Sequence, residues 1–460
     1  MKKLDFTISA LGKPTLQLST ISKRKDVWRT SYVSDDQYIL YDIAVTKGTS
    51  IRSSAQNNLI ERAGPREKIY FDPAKVHAGV VTCGGLCPGL NDVIRAIVMT
   101  LCYRYDVKQI SGFRYGYRGF LSRFKLPVME LTPDVVTKIH RLGGTILGAS
   151  RGSGDCVEEI VDTLERMNIN MLFTIGGDGT QKGALDISEE AKKRSLKIAV
   201  VGIPKTIDND LSFVQKSFGF QTAVSRAVEA VDCAHVEAHD GVNGIGIVKV
   251  MGRESGFIAA HTAMAINDVN YVLIPEVPFD LEGENGLLTN LERRLKKRNH
   301  AVILVAEGAG QEHMDDSGIN DASGNKKLGD IGIYLKERIN EYFERKRMEI
   351  NLKYIDPSYM IRSAPANPND STYCARLGAY AVHAAMAGKT GLIISLIHSH
   401  FVHVPIHMAV SSRKCINPHQ ELWRDVTEAT GQPLLLQERR KKPRKNNKST
   451  SALGKPTIRK

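Results

Sequence analysis

The sequence predicts an α/β fold with two doubly wound, Rossmann-like parallel-sheet domains, and three observations lead to this prediction. Between Ala78 and Ala387, short apolar segments alternate with helical segments, which is the pattern of repeated βαβ units. The short segments are continuously apolar and rich in Val and Ile, as expected of parallel strands covered on both faces. The 460 residues fit two such sheets better than one sheet of eight or more strands.

Each strand is predicted where such an apolar segment occurs, and the helices are predicted between them. The strand segments are, in order, Ala78–Thr82, Gln109–Phe113, Met171–Ile175, Ile198–Ile203, Ile245–Val250, Asn270–Ile274, Ala301–Ala306 and Leu352–Ile355. The helical segments are Asn91–Tyr105, Cys156–Met167, Gly183–Arg194, Gln221–Ala238, Ser255–Ile266, Gly286–Arg298, Asp330–Glu344 and Ser371–Ala387. The first 75 residues are polar and irregular, and only Tyr38–Ile43 indicates a strand there.

The composition is that of an ordinary soluble globular protein, with 42% apolar and 25% charged residues. No apolar run approaches the roughly 18 residues of a membrane span, and the first residues lack the apolar segment of a secretory signal. The seven scattered cysteines indicate reduced thiols. These features predict a cytoplasmic protein. Residues 6–25, which are rich in Ser and Thr and contain no acid, leave a short organellar transit segment as the alternative.

The net charge of +13 is concentrated at one end of the chain. Residues 438–460 contain ten Lys or Arg and one Glu, so the rest of the chain carries only +4. This basic tail lacks the interleaved aromatic residues that stack on bases, and it has no helical periodicity. It is therefore predicted to be a disordered, solvated extension, and a nucleic-acid partner is the less favoured alternative.

Two loops that follow predicted strands carry the strongest chemical signal. Gly176–Thr180 follows Met171–Ile175, and Pro204–Asp210 follows Ile198–Ile203, so both lie at the carboxyl ends of buried parallel strands, where α/β sheets bind ligands. The first loop offers glycine backbone that can approach a phosphate, with one carboxylate, Asp178, suited to Mg²⁺. The second offers three oxygen-bearing polar side chains and a lysine, which are the groups that a phosphoacceptor hydroxyl needs beside a phosphoryl donor. Together they predict phosphoryl transfer.

Two further glycine-rich segments add weaker signals of the same kind. Thr82–Asn91 joins a strand to a helix, so its backbone N–H groups and the helix dipole can face an anion. Gly143–Gly152 contains Arg151, whose guanidinium can bridge polyphosphate oxygens. Loops of this kind also serve only as tight turns, so the order of all the motifs along the chain carries the identification.

In that order and spacing the motifs resemble the phosphofructokinase family over roughly residues 70–430. The segments that resemble it are Thr82–Asn91, Gly143–Arg151, Gly176–Thr180, Pro204–Asp210, Met251–Phe257, Val305–Gly308 and Tyr359–Arg362. The lead-in Arg62–Glu67 and the lysine in Pro204–Asp210 look most like the plant-type, ATP-dependent branch. The resemblance implies transfer of the γ-phosphate of ATP to the 1-hydroxyl of fructose 6-phosphate, at an active site between the two domains. It also implies a homotetramer and Mg²⁺ as cofactor.

The resemblance implies the following roles for individual residues. Asp208 would be the general base, with Thr206, Lys205 and Arg253 as further catalytic residues. Asp178 would hold Mg²⁺. The nucleotide would be lined by Gly84, Gly85, Arg151, Gly152, Gly177, Asp178, Gly179 and Thr180. The sugar phosphate would contact Thr206, Ile207, Asp208, Met251, Gly252, Arg253, Glu307, Lys353, Tyr359 and Arg362.

Some of these residues have simpler alternative interpretations. Asp210, which would shape the loop of Asp208, could instead only cap a turn. Glu307 could pair with a basic neighbour, and Met251 could be a core residue. Two positions also depart from the bacterial pattern, because Gly244 and Lys353 stand where bacterial relatives place arginines that reach the sugar phosphate of a neighbouring subunit.

The domain limits follow from the same reading. Residues 1–70 are predicted to be a polar N-terminal extension, and residues 71–215 with part of 355–410 the nucleotide-binding domain. Residues 216–354 are predicted to be the sugar-phosphate-binding domain, and residues 411–460 a C-terminal extension that includes the basic tail.

Gly179 and Lys205 give opposite indications about the phosphoryl donor. Gly179 leaves space for an adenosine moiety, whereas pyrophosphate-using relatives have an aspartate there that fills the space and repels an α-phosphate. Lys205 is shared with those relatives. ATP is favoured, because an aspartate at residue 179 would exclude ATP outright and this chain has glycine there. The lysine at residue 205 serves either donor. The alternatives are a pyrophosphate-dependent phosphofructokinase and a non-catalytic regulatory subunit, against which the presence of both Asp178 and Asp208 argues.

Overall fold

The computed structural model describes residues 4–17, 32–44, 58–315, 318, 327–434 and 436–437. The basic tail, for which disorder is predicted, lies outside these residues, as does most of the polar segment 18–57. In the described part no helix combines the length and apolar character needed to cross a bilayer.

Strands and helices alternate through most of the described chain. The strands are β1 (Ser9–Ala10), β2 (Leu16–Gln17), β3 (Tyr38–Leu40), β4 (Leu59–Glu61), β5 (Lys68–Ile69), β6 (His77–Thr82), β7 (Gln109–Phe113), β8 (Met129–Glu130), β9 (Met171–Gly176), β10 (Ala199–Pro204), β11 (Gly244–Val250), β12 (Tyr271–Leu273), β13 (His300–Ala306), β14 (Asn351–Ile355), β15 (Lys389–Thr390), β16 (Leu392–Ile397) and β17 (His400–Pro405). The helices are α1 (Leu90–Tyr105), α2 (Pro133–Val136), α3 (Val157–Arg166), α4 (Asp178–Lys193), α5 (Phe220–Asp240), α6 (Phe257–Ile266), α7 (Leu287–Arg298), α8 (Ile331–Arg345), α9 (Ser358–Arg362), α10 (Pro368–Met386), α11 (Ile406–Ala409) and α12 (Glu421–Thr430).

The strands form two main sheets. The larger sheet has seven strands in the order β17-β16-β10-β9-β6-β7-β8. Its five central strands are parallel, and only the edge strands β17 and β8 run antiparallel to their neighbours. The smaller sheet has four parallel strands in the order β12-β13-β11-β14. The predicted fold class, α/β with parallel-sheet domains, is confirmed.

Apolar residues cover both faces of each sheet, which explains why the strand segments are continuously apolar. In β9, Met171 and Phe173 pack into the cluster on one face, and Leu172 packs into the cluster on the other. The small sheet shows the same alternation, with Ile247 in one cluster and Val248 in the other. Because side chains alternate across a strand, every position of a strand with two buried faces lies in a core, and in β9 even the polar Thr174 is buried.

The C-terminal part of the described chain packs into the core of the small sheet. Helix α12 packs against α6, and its Trp423 is fully buried in a cluster that includes Val248. The side-chain oxygen of Gln432 accepts a hydrogen bond from the backbone N–H of Val272 (2.6 Å). This helix lies within residues 411–460, which were predicted to be an extension; the domain limits themselves stay a prediction.

Candidate active site

The register of the large sheet brings the two chemically distinctive loops together. In the pairing of β9 with β10, Gly176 lies opposite Pro204, and in the pairing of β6 with β9, Thr82 lies opposite Ile175. The loops after β6, β9 and β10 therefore leave the same edge of the sheet at the same level. The backbone N–H of Lys205 donates to the carbonyl oxygen of Gly176 (2.9 Å), so the last two of these loops touch at their bases.

Lys205 connects the glycine-rich loop after β6 to the loop after β10. Its ammonium donates to the carbonyl oxygen of Gly85 (2.8 Å) and lies beneath Gly84, where a Cβ would come within 3.1 Å of it. Burial lowers the pKa of this lysine, and the nearby Arg151 also lowers it, while the Asp208 carboxylate acts in the opposite direction. Lys205 thus lies between the predicted nucleotide residues and the predicted base.

Helix α4 begins at Asp178, five residues before the predicted start, so Gly177 is its N-cap and Asp178, Gly179 and Thr180 lie in its first turn. The Asp178 carboxylate is 26% exposed and pairs with Lys182 (2.8 Å) one helical turn further on. Gly179 is exposed, and a Cβ at this position would meet no atom within 4 Å. Thr180 is buried, and its carbonyl oxygen accepts from the Tyr117 hydroxyl (2.7 Å).

The loop of residues 205–215 is called here the catalytic loop because it contains the predicted base, Asp208, which neighbouring residues hold in place. The Thr206 hydroxyl hydrogen-bonds to the Asp210 carboxylate and accepts from the backbone N–H of Asp208 (3.3 Å). The Ser255 hydroxyl donates to the carbonyl oxygen of Asp208 (3.3 Å) from the other domain. Ile207 packs against the cores of both sheets, so the loop lies between the two domains.

The Asp208 carboxylate has the burial and the raised pKa that are expected of a general base. Its Oδ1 atom is buried and has no hydrogen-bond partner. Burial raises its pKa to about 8, helped by the negative charges of Asp210 and Glu307, while the positive charges of Arg362 and Lys205 oppose the rise. An unpartnered buried carboxylate oxygen with a pKa near neutrality can accept a proton from a hydroxyl group placed beside it.

The small sheet brings a second group of predicted residues to the other side of Asp208. Val250 lies opposite Ala306 in the pairing of β11 with β13, so Met251 and Glu307 follow adjacent strand ends. The Arg362 Nε atom lies 3.3 Å from the Met251 sulfur. The charges of Glu307 and Arg362 both act on the Asp208 carboxylate, which places their side chains near it.

The backbone that presents Arg253 is tightly packed. The N–H of Gly308 donates to the carbonyl oxygen of Gly252 (3.0 Å), and a Cβ at Gly308 would lie 1.9 Å from the carbonyl oxygen of Arg253. Helix α9 is placed in a similar way, because a Cβ at Gly143 would lie 1.7 Å from the carbonyl oxygen of Ser363. Only glycine permits these approaches, so two of the glycines in the motifs fix the positions of other site segments.

Not all of the predicted residues are grouped with Asp208. Lys353 of β14 pairs with Gly246 of β11, which lies four residues before the end of β11 at Val250. At roughly 3.3 Å per residue, Lys353 therefore lies about 13 Å below the strand end. Tyr359 is 82% exposed. Arg151 and Gly152 are also exposed, although Arg151 remains near Lys205. Within one chain, Lys353 and Tyr359 therefore do not join the central group.

Met251, Asp210 and Glu307 are the residues with simpler alternative interpretations, and all three lie in or act on the site. Met251 is fully buried in the core and also contacts Arg362, so it has both a packing contact and a site contact. Asp210 accepts from Thr206 within the loop, as a turn cap does, and its charge also acts on Asp208. The negative charge of Glu307 also raises the pKa of Asp208.

Two residues that support the site carry no sequence signal of their own. Gln181 is fully buried, and its amide donates to the carbonyl oxygens of Gly176 (3.0 Å) and Ile203 (3.3 Å), which ties the ends of β9 and β10 together. Ser255 links the two domains through Asp208. Both roles depend on tertiary neighbours, and only the position of Ser255 within the Met251–Phe257 motif could have drawn attention to it.

The donor set fits a Mg²⁺ ion that arrives with a nucleotide. Among the residues the structure describes, no three or more His, Cys, Asp or Glu side chains form a group that could hold a metal alone. Asp178 nevertheless presents a partly exposed carboxylate at the loop edge. Mg²⁺ in phosphoryl-transfer sites is commonly held by one or two carboxylates together with substrate phosphates.

Comparisons with known proteins agree on one family. The Phosphofructokinase family model matches residues 77–385. The chain is 56% identical to an ATP-dependent 6-phosphofructokinase of Borreliella burgdorferi over 442 residues, covering 95% of this chain and 98% of the relative. It is 47% identical to the chloroplastic ATP-dependent 6-phosphofructokinase 5 of Arabidopsis thaliana, covering 89% of this chain and 77% of the relative.

A solved structure shares the fold at low sequence identity. The pyrophosphate-dependent phosphofructokinase from Marinobacter aquaeolei matches with a TM-score of 0.64 and 20% identity. The match covers 77% of this chain and 91% of that one. At this identity the similarity supports the architecture and says nothing about the phosphoryl donor.

Proposed function

This chain belongs to the phosphofructokinase family, and we propose that it is an ATP-dependent 6-phosphofructokinase, which transfers the γ-phosphate of ATP to the 1-hydroxyl of fructose 6-phosphate and forms fructose 1,6-bisphosphate. The observation that carries this proposal is the buried, unpartnered Oδ1 of Asp208 in a loop that touches the Asp178 loop at its base. The relatives that match most of the chain carry this activity in their names.

Asp208 is the proposed general base. Its free oxygen accepts the proton of the sugar 1-hydroxyl as that oxygen attacks the donor phosphorus. Lys205, which lies between the glycine-rich loop and Asp208, places a positive charge where the phosphoryl group passes. Thr206 and Arg253 complete the proposed catalytic group, Thr206 by holding the backbone of Asp208.

The nucleotide is proposed to lie along the exposed edge formed by Gly84, Gly85, Arg151, Gly152 and the first turn of α4. Gly177 is the N-cap of this turn, and Gly179 and Thr180 lie in it with Asp178, which would hold Mg²⁺ with the donor phosphates. When bound, the ion neutralises charge on those phosphates. The amino-terminal end of α4 adds a favourable dipole for an anion.

The sugar phosphate is proposed to lie between the catalytic loop and the end of the small sheet. Met251, Gly252, Arg253, Glu307 and Arg362 contact it there, together with Ile207. Lys353 and Tyr359 are proposed to act across a subunit boundary in a homotetramer, since they lie outside the central group of their own chain. The protein is proposed to act in the cytoplasm, with an organellar transit segment as the alternative.

The donor is tested by a direct comparison. Purified protein is given fructose 6-phosphate, Mg²⁺ and either ATP or pyrophosphate, and fructose 1,6-bisphosphate is measured. We expect turnover with ATP and little with pyrophosphate, because Gly179 leaves the space beside the donor open. Turnover with pyrophosphate alone would transfer the assignment to the pyrophosphate-dependent reaction, which Lys205 favours. Turnover with neither donor would favour a non-catalytic regulatory subunit.

The activity is expected to depend on the pKa of Asp208, which burial raises to about 8. Only the ionised carboxylate accepts a proton, so kcat/KM should rise about tenfold per unit from pH 6 and level off above pH 8. The same titration affects the stability of the fold in the opposite direction. The folded protein binds this proton more tightly than the unfolded chain, so the contribution of Asp208 to stability falls as pH rises from about 4 to about 8.

The measurement is kcat/KM for fructose 6-phosphate between pH 6 and 9 at saturating ATP and Mg²⁺. An Asp208→Asn variant supplies the control, because its residual activity should no longer follow this titration. A flat profile in the unmodified enzyme would contradict the assigned base.

A further inference from the structure

A short segment near the end of the described chain lies directly against the catalytic loop. Residues 412–416, called here the C-terminal strap, form an antiparallel bridge between Arg413 and Leu211. The backbone N–H of Lys414 donates to the carbonyl oxygen of Asp210 (2.8 Å), and the Ser212 hydroxyl donates to the carbonyl oxygen of Ser412 (2.8 Å). The strap therefore runs alongside the part of the loop that follows Asp208.

The Lys414 side chain turns into the loop. Its ammonium donates to the carbonyl oxygens of Val214 (2.7 Å) and Gln215 (3.3 Å), and it lies over the Phe257 ring at 5.1 Å from the centroid. Burial lowers the pKa of Lys414 to about 8, against the opposing effect of the Asp210 charge. Two titratable groups interact with Lys414 through their charges. One is the Asp210 carboxylate of the loop, and the other is the His261 imidazole of α6, whose pKa is lowered by burial and by the Lys414 charge.

The strap is anchored in the other domain. The Glu276 carboxylate accepts from the backbone N–H of Ile416 (2.8 Å) and from that of Gly256 (3.0 Å). Ile416 is buried in the same core cluster as Trp423 of α12. Because this anchor belongs to the small-sheet domain and the loop leaves β10 of the large sheet, the strap joins the two domains across the catalytic loop.

We propose that Lys414 is a positioning residue for phosphoryl transfer, which holds the catalytic loop and balances the charge of Asp210. The connection runs from Lys414 to Asp210, from Asp210 to the Thr206 hydroxyl, and from that hydroxyl to the backbone N–H of Asp208. The Lys414 ammonium is bonded to the carbonyl oxygens of Val214 and Gln215, so it is proposed to act on Asp208 through the loop. The inference rests on the proposed function, because its effect is measured on that reaction.

The charge of Lys414 has a definite direction of effect. The groups that act on the Asp208 carboxylate are Asp210 and Glu307, which raise its pKa, and Arg362 and Lys205, which lower it. The Lys414 ammonium beside Asp210 offsets part of the Asp210 charge. Without it, Asp208 should become harder to ionise, and the active form should appear at higher pH.

The test compares Lys414→Met, which keeps the length of the side chain and removes its charge, with Lys414→Arg, which keeps the charge. We expect Lys414→Met to lower kcat about 10- to 100-fold, as a misplaced catalytic group does, with little change in KM for ATP. Its half-maximal activity should move up by roughly half a pH unit to one unit. Lys414→Arg should retain the original pH midpoint and recover part of kcat.

Arg413→Met is the matched control on the same strap, since Arg413 pairs with the exposed Glu254 (3.3 Å) and not with the loop carboxylates. It should keep the kcat and pH midpoint of the unmodified enzyme. The inference is overturned if Lys414→Met also keeps the kcat and the pH midpoint of the unmodified enzyme, or if it loses kcat with an unchanged pH midpoint. If the unmodified enzyme has no activity with ATP, the proposed function fails instead. Thermal unfolding of each variant shows whether the protein measured is folded.

Discussion

Replacing Asp208 with alanine or asparagine is expected to lower kcat by about 10²- to 10⁴-fold, the usual contribution of a general base. The Oδ1 atom of Asp208 is buried and has no hydrogen-bond partner, so its removal breaks no hydrogen bond. Its raised pKa, about 8, means that a neutral side chain should be tolerated there. The loss should therefore appear in turnover, with a much smaller change in KM for either substrate.

The measurement is steady-state kinetics of both variants, with substrate binding followed by calorimetry. Asp92→Asn is a suitable control, because burial also raises the pKa of Asp92 while its carboxylate accepts from the Ser371 hydroxyl (2.6 Å) instead of facing the site. This control should keep most of the activity. Turnover within tenfold of the unmodified enzyme in Asp208→Asn would show that another group takes the proton.

The sequence could predict the strand ends because both faces of each strand are buried. A continuous apolar run such as Met171–Ile175 has little freedom in where it begins and ends, and the polar loop that follows must lie at the sheet edge. The contact between the two loops could not be predicted in the same way. It depends on the register that places Gly176 opposite Pro204, which is set by packing between strands.

The parts that the sequence did not predict depend on tertiary contacts. Helix α4 begins at Asp178, although the two glycines beside this residue are typical of a loop. Helix α12 follows a segment with no distinctive motif, yet its Trp423 fills the core of the small sheet. Lys414 is one lysine among many in the sequence, and its role becomes visible only where its ammonium meets the catalytic loop.

We propose that the identity of the donor depends on one position in the first turn of α4. Gly179 is exposed with open space beside it, whereas Lys205 is buried beneath the glycine-rich loop and can serve ATP or pyrophosphate. In this proposal, space at residue 179 decides which donors enter, and charge at residue 205 acts on whichever donor has entered. That division predicts opposite effects of a change at Gly179 on the two donors.

Gly179→Asp is expected to reduce kcat/KM for ATP by about 100-fold or more, the factor that roughly 2.7 kcal/mol represents. The new carboxylate would occupy the open space and repel the α-phosphate, while its place in the first turn of a helix favours folding. Pyrophosphate lacks the nucleoside portion, so its use should not fall and is expected to rise relative to ATP. Gly179→Asn, which has the same size without the charge, separates the two effects and should lose less. Kinetics with both donors test this prediction, and ATP use in Gly179→Asp that matches the unmodified enzyme would show that the adenosine portion does not pass residue 179.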